Sequence, residues 1–190
     1  MRKIIVSEFV TLDGVMEDPG GADKFERGGW AFQFERGPEG DKFKLDETLS
    51  AEALLLGRVT YEGFAAAWPS RTGEFADKMN SMPKYVVSSR LAGPRWNNTM
   101  LINGNVEEEV SKLKAMPGGD ILVAGSGGLV NTLMQHELVD VLRLMVYPVI
   151  LGKGKRLFND GLAKLPLRLE QAISTGAGIL ALIYEVERKK

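Results

Sequence analysis

Three short segments of this sequence carry residues suited to holding a phosphorylated ligand. Gly125-Ser126-Gly127-Gly128 follows an apolar run that ends at Ala124 and precedes another that begins at Leu129. Glycines there let backbone approach a ligand closely, and a helix opening behind them turns free N–H groups and its positive dipole end toward a phosphate. Gly57-Arg58-Val59-Thr60-Tyr61 also follows an apolar run and adds a guanidinium and a hydroxyl. Ser88-Ser89-Arg90, at the end of a third run, supplies the hydroxyls and arginine expected around a ribose 2′-phosphate, which favours NADP over NAD. Each segment also has a plainer reading, as a tight strand-to-helix turn or a helix start with a solvated arginine. The glycine segment is neither a Rossmann fingerprint, because Val130 stands where the third glycine belongs, nor a P-loop, because the Lys-Ser/Thr ending is absent.

Composition narrows the chemistry further. The chain has 190 residues, a length suited to one domain, and 44% of them are apolar, enough for an ordinary core. Lys and Arg number 24 against 25 Asp and Glu, so no overall field favours nucleic acid or an anionic membrane, and a small-molecule ligand is expected instead. The absence of cysteine excludes disulfides, thiolate nucleophiles and thiolate metal sites. The single histidine, His136, excludes a multi-histidine metal site, so no metal is expected. No stretch approaches the roughly 20 apolar residues of a membrane span, and the start lacks a signal-like run; a cytoplasmic protein is expected.

The elements that must position these segments follow from hydrophobic period and turn residues. A strand is predicted over Lys3 to Leu12, ending at the Asp13-Gly14 turn, then a long glycine-rich functional loop over 13–40. A helix over 41–51 leads into a buried strand over Ala53 to Leu56, and a second helix is expected over Arg58 to Trp68. Strands over Lys84 to Ser88 and Met100 to Ile102 precede a helix over Glu107 to Met116, a strand over Asp120 to Ala124, and a helix over Leu129 to Leu138. After Val139 come three strands, over Val141 to Leu151, Leu167 to Ser174 and Ile179 to Val186, with no room for crossover helices and therefore expected to be antiparallel. The fold class is α/β: a mostly parallel central sheet with helices on both faces and an antiparallel C-terminal edge. Ligands of such sheets sit at the carboxyl ends of the strands, where all three segments fall.

In order and interval, Leu55-Leu56-Gly57-Arg58-Val59-Thr60-Tyr61, Tyr85-Val86-Val87-Ser88-Ser89-Arg90 and Val123-Ala124-Gly125-Ser126-Gly127-Gly128 resemble the dihydrofolate-reductase-like family. Leu138-Val139-Asp140 and the stretch from Tyr147-Pro148 to Leu157-Phe158 resemble its riboflavin-biosynthesis reductase branch. The resemblance covers nearly the whole chain and implies a single domain of that fold binding NADPH along Gly57, Arg58, Val59 and Thr60, Ser88, Ser89 and Arg90, and Ala124, Gly125, Ser126, Gly127, Gly128 and Leu129. It implies a reductase passing hydride to a C=N or C=O group of a pterin- or pyrimidine-like heterocycle, with the nicotinamide toward Thr11, Asp13 and Asp41. Counting back from Gly57-Arg58 makes Asp41 the matching first-helix carboxylate, a candidate acid that supplies or relays the proton; an ordinary helix-start aspartate is its alternative. The sequence departs from the folate enzymes at two points: Gly40 precedes Asp41, and Met145 or Val146 occupies the region of a threonine. Dimers are usual in the riboflavin branch, so a homodimer is expected.

Trp30, Phe32 and Phe34 could stack on the heterocycle or simply pack, and Lys153, Lys155 and Arg156 could grip a substrate phosphate or form a solvated hairpin. A protein that keeps the cofactor cleft without catalysis is the alternative function, and a flavodoxin-like flavin carrier is a third, weakened by the antiparallel finish and by Arg58 and Arg90.

Overall fold

The first apolar run forms β1 (Ile4–Thr11), and it lies in the middle of the sheet rather than at an edge. A computed structural model describes residues 1–188. The other strands are β2 (Ala53–Gly57), β3 (Lys84–Val87), β4 (Thr99–Ile102), β5 (Ile121–Val123), β6 (Val141–Tyr147), β7 (Leu167–Thr175) and β8 (Ile179–Val186). They form one eight-stranded sheet in the order β4-β3-β2-β5-β1-β6-β8-β7. Every pairing from β4 across to β6 is parallel, and β8 runs antiparallel to both β6 and β7. The expectation that all strands after Val139 are antiparallel is corrected for β6, which pairs in parallel with β1 from Ile5–Val141 to Thr11–Tyr147. The reason is the helix α5 (Gly127–Gln135), which carries the chain back across the sheet so that the next strand points the same way as the last.

Burial on both faces explains the uninterrupted apolar strands: all five positions of β2 are buried. On one face α4 (Val106–Ala115) and α5 place Val110, Leu113, Val130 and Leu133 against Ile4, Val6 and Val123. On the other, α2 (Arg58–Ala67) and α3 (Glu74–Ser81) place Tyr61 and Met79 against Leu54, Leu56 and Val86. A third cluster joins Phe43 of α1 (Gly37–Ser50) to Trp30, Met145, Tyr147, Ile179 and Ala181.

Two helix starts differ by two residues or more from the sequence expectation. Helix α1 begins at Gly37 rather than 41, with Pro38 in its first turn, where a missing N–H leaves no bond unmade. Helix α5 begins at Gly127 rather than Leu129, so both glycines lie inside its first turn. Helix α3 was not expected at all: it is short, and only Ala76 and Met79 are buried, too few to set up a period. The expected loop over 13–40 thus ends at 36, and within 13–36 its one helical turn is the 3-10 turn at Trp30–Gln33.

Candidate functional site

At the carboxyl ends of β2 and β5 two helix N-termini meet. The strands stop at Gly57 and Val123, and α2 and α5 open from N-cap residues Gly57 and Ser126, both extended and neither making a capping bond from its own side chain. By contrast, Asn105 caps α4, its side chain accepting from the Glu107 and Glu108 N–H groups. The turns are tied across: Gly57 N–H donates to Gly125 O at 3.1 Å, and the Thr60 and Ser126 hydroxyls lie 3.1 Å apart. A Cβ at Gly57 would stand 2.6 Å from Ser126 Oγ, and one at Gly125, whose φ is +91°, would stand 2.7 Å from Thr60 Oγ1. Glycine is thus required by close approach at the first and also by backbone conformation at the second. The Gly125–Ser126 peptide is cis. First-turn N–H groups of a helix have no intrahelical acceptor, so this paired start is a place where an anion can be held by backbone.

The remaining residues predicted to hold a cofactor border the same place. Gly128 has open space where a Cβ would be, Val59 is exposed, Ala124 is half-buried and Leu129 is buried. Arg58 pairs with Glu62 one turn along its own helix at 2.7 Å. At the end of β3, the Ser88 hydroxyl accepts from the Arg90 and Leu91 N–H groups at 3.0 Å, which shapes the turn and leaves Ser89 and Arg90 exposed.

On the other side of β1 a cleft of about 620 Å³ is lined by Phe9, Phe32, Phe34, Arg36, Asp41 and Tyr147, among others. Tyr147, the last residue of β6, is its centre: Phe9, Trp30 and Phe34 meet its ring edge-on at centroid distances of 5.4, 5.2 and 6.1 Å. Burial pushes the Tyr147 phenol up to about 12, with Arg36 opposing and Asp41 reinforcing the shift. The phenol is therefore a proton-bearing donor across the working pH range. Asp41, the candidate acid, lies on this cleft with its side chain 65% exposed and held by Arg36 at 3.0 Å. The guanidinium of Arg36 also sits over the Phe9 ring.

The other residues predicted to touch substrate, Thr11, Asp13 and Trp30, do not line the cleft. Trp30 is buried behind the cleft, its indole N–H donating to Glu17 O at 2.9 Å; Phe32, 78% exposed, stands at the rim instead. Thr11 Oγ1 donates to Asp13 at 2.6 Å and accepts from Val15 N–H, while the Asp13 carboxylate accepts from Leu151 N–H at 3.2 Å and Gly152 N–H at 2.8 Å. Burial opposes and these bonds favour its charged form, which holds Asp13 below its ordinary value. Lys153 pairs with Glu26, Lys155 with Glu17, and Arg156 with the Asp13 carbonyl, so the three cations clamp the 13–30 loop.

Sequence reasoning passed over Ser7 and Glu8, polar side chains in a central strand. Ser7 donates to Glu47 at 2.7 Å, and Lys44 binds both, so α1 is bolted to β1 beside the cleft. Glu8 faces the Gly125 turn on the other side of the sheet. A carboxylate in the middle of an apolar strand was the signal available for it. Arg36, Phe9 and Tyr147 gave no comparable signal, because they come from three distant segments.

The comparisons with known proteins fit this geometry. The family model described as the RibD C-terminal domain matches residues 2–181. The uncharacterized protein YyaP of Bacillus subtilis (strain 168) is 31% identical over 188 residues, covering 96% of this chain and 94% of its own. Among solved structures, a putative riboflavin biosynthesis protein from Shewanella sp. PV-4 superposes with a TM-score of 0.77 at 20% identity, covering 98% of this chain and 99% of its own. Dihydrofolate reductase from Enterococcus faecalis, complexed with NADP(H) and RAB-propyl, superposes with a TM-score of 0.60 at 16% identity, covering 98% and 97%. Both share the fold. No helix among the described residues is long and apolar enough to cross a membrane.

Proposed function

This chain belongs to the RibD C-terminal domain family, and from that premise we propose that it is an NADPH-dependent reductase of a small pterin- or pyrimidine-like heterocycle. The observation that carries the reading is the pair of helix N-termini bridged by Gly57 N–H and Gly125 O, with Ser89 and Arg90 exposed at the next strand end. A dinucleotide's two phosphates match the two helix starts, and a 2′-phosphate matches Arg90. The Enterococcus enzyme that shares the fold is one complexed with NADP(H), which supports the same assignment.

In this reading β1 divides the labour. The cradle on the β5 side holds the cofactor, and the aromatic cleft on the β6 side holds the substrate, so that the two reactants meet over the end of β1. When bound, NADPH supplies the hydride. The chain's own residues place the acceptor carbon and exclude water, through Phe9, Phe34 and Tyr147, while Asp41 supplies or relays the proton that the substrate nitrogen or oxygen gains. The assembly is read as a homodimer built on the C-terminal hairpin, because Leu167, Leu169 and Leu180 leave one face of β7 and β8 apolar and exposed and β7 is a free edge. Sedimentation at twice the chain mass is the expected result.

The test is calorimetric titration with NADPH, NADH and FMN. NADPH is expected to bind, NADH more weakly and FMN not at all, with Arg58→Ala and Ser89→Ala each weakening NADPH by about threefold to tenfold. Absence of nucleotide binding overturns the reading.

A further inference from the structure

Glu8 stands where an apolar residue belongs, between Val6 and Val10 on the face of β1 covered by α5, and is only 8% exposed. Its Oε1 is buried without a hydrogen-bond partner. That oxygen lies 3.7 Å from the point where a Gly125 Cβ would be, and Thr60 Oγ1 lies 2.7 Å from the same point. The Gly125 N–H is the carboxyl's backbone contact. Glu8 and the Thr60 and Ser126 hydroxyls therefore surround the one turn at which both helix starts meet. The charged groups that act on Glu8 are Lys44 and Glu47, both on α1, and these are bound to each other and to Ser7; the β2–α2 and β5–α5 turns face it with hydroxyls and backbone.

We propose that Glu8 is a positioning residue of the dinucleotide cradle, neutral while an anion occupies the Gly57 and Gly125–Ser126 turns and repelling that anion once ionised. The proposal rests on the reading that dinucleotide phosphates lie over those turns. Physically, an unpaired carboxylate buried beneath an anion site would oppose the ligand, whereas a carboxylic acid there does not. Burial pushes Glu8 from 4.5 up to about 8, against the pull of Lys44 and the Gly125 N–H and with the push of Glu47. At neutral pH the acid is therefore mostly protonated and the cradle is open to anions. Above that pH the proton is lost, and an anion that binds must bring it back, so binding and proton uptake are linked.

The experiment is calorimetric titration of the full chain with NADPH from pH 6.5 to 9.5, in two buffers of different ionisation enthalpy, on wild type and Glu8→Gln, with inorganic pyrophosphate titrated alongside. Wild type is expected to hold a steady Kd to about pH 8 and then weaken by about tenfold per pH unit, with uptake approaching one proton, while Glu8→Gln shows neither. Lys84, which burial lowers to about 8, titrates in the same window but sits at the opposite end of the parallel strands, so its contribution survives in Glu8→Gln and is subtracted. NADPH binding with no slope in wild type, or with the same slope in the variant, overturns the proposal and leaves the reductase reading standing. Proton-linked binding of pyrophosphate by wild type beyond that of Glu8→Gln, the ligand's own ionisation being common to both, sustains Glu8's role, and without binding of NADPH it overturns the reductase reading. Binding of neither overturns both. Should Glu8→Gln fail to fold, Glu8→Leu, which puts an apolar side chain among Val6 and Val10, serves as the second reference for that subtraction and is likewise expected to show neither the slope nor the uptake.

Discussion

The two sides of β1 build their candidate sites from different materials. On the β5 side the cradle is backbone: glycines, two helix starts and hydroxyls that tie one turn to the other. On the β6 side the cleft is side chain: aromatic rings packed edge-on around Tyr147, with one ion pair, Arg36–Asp41, at the mouth. A backbone site tolerates little change in shape, since a Cβ at Gly57 or Gly125 runs into the facing turn, but it makes few demands on side-chain identity elsewhere. A side-chain site can be refitted residue by residue. If the proposed function holds, the cradle speaks to cofactor and the cleft to substrate, and a change of substrate asks for changes in the cleft alone.

That division can be broken at several points. Tyr147→Ala removes the ring on which Phe9, Trp30 and Phe34 converge, and is expected to lower stability by about 3–5 kcal/mol in urea denaturation while NADPH affinity of the folded protein stays near wild type. A large loss of NADPH affinity would mean the two sides are not separate. Gly57→Val drives a side chain into Ser126 and is expected to weaken NADPH by about a hundredfold, some 2.8 kcal/mol, with the aromatic cleft intact by near-ultraviolet dichroism. Arg90→Ala sharpens the cofactor assignment: NADPH weakens by about tenfold and NADH hardly changes, reading out the 2′-phosphate alone. At the small end, Lys153→Ala breaks only a pair whose side chains are both well over half exposed, so no measurable change in melting temperature or NADPH affinity is expected.

The same difference explains what could be read from the sequence. Cradle residues are contiguous, so Gly57 to Thr60, Ser88 to Arg90 and Gly125 to Gly128 stand out as glycine and hydroxyl turns after apolar runs, and the strands before them fall within a residue or two of the expected bounds. Where glycine punctuates, however, it also misleads: Gly127 and Gly128 read as turn but belong to α5, and Gly37 opens α1. The parallel course of β6 depends on which strand it pairs with, a long-range choice that its own residues do not encode. The cleft is assembled from β1, the 3-10 turn, α1 and β6, so Phe9, Arg36 and Tyr147 never appear near one another in sequence; Asp41 could be anticipated by analogy, and Phe32 and Phe34 only as aromatics that could stack or pack. Trp30, which reads as a stacking surface, is spent on packing because its neighbour Tyr147 needs a wall.

The position of β1 has a consequence for how the chain is made. Its hydrogen-bonding partners are Ile121–Val123 and Val141–Tyr147, so during synthesis this strand has neither neighbour until more than a hundred further residues have followed it. Through that interval an apolar strand waits with both edges open, a state prone to pairing with other nascent chains. Contacts that close such long loops are slow to form. Glu8 and Ser7 break the strand's apolar run midway, and a solvated polar pair in that place makes an open segment less self-adhesive than an unbroken apolar run of the same length.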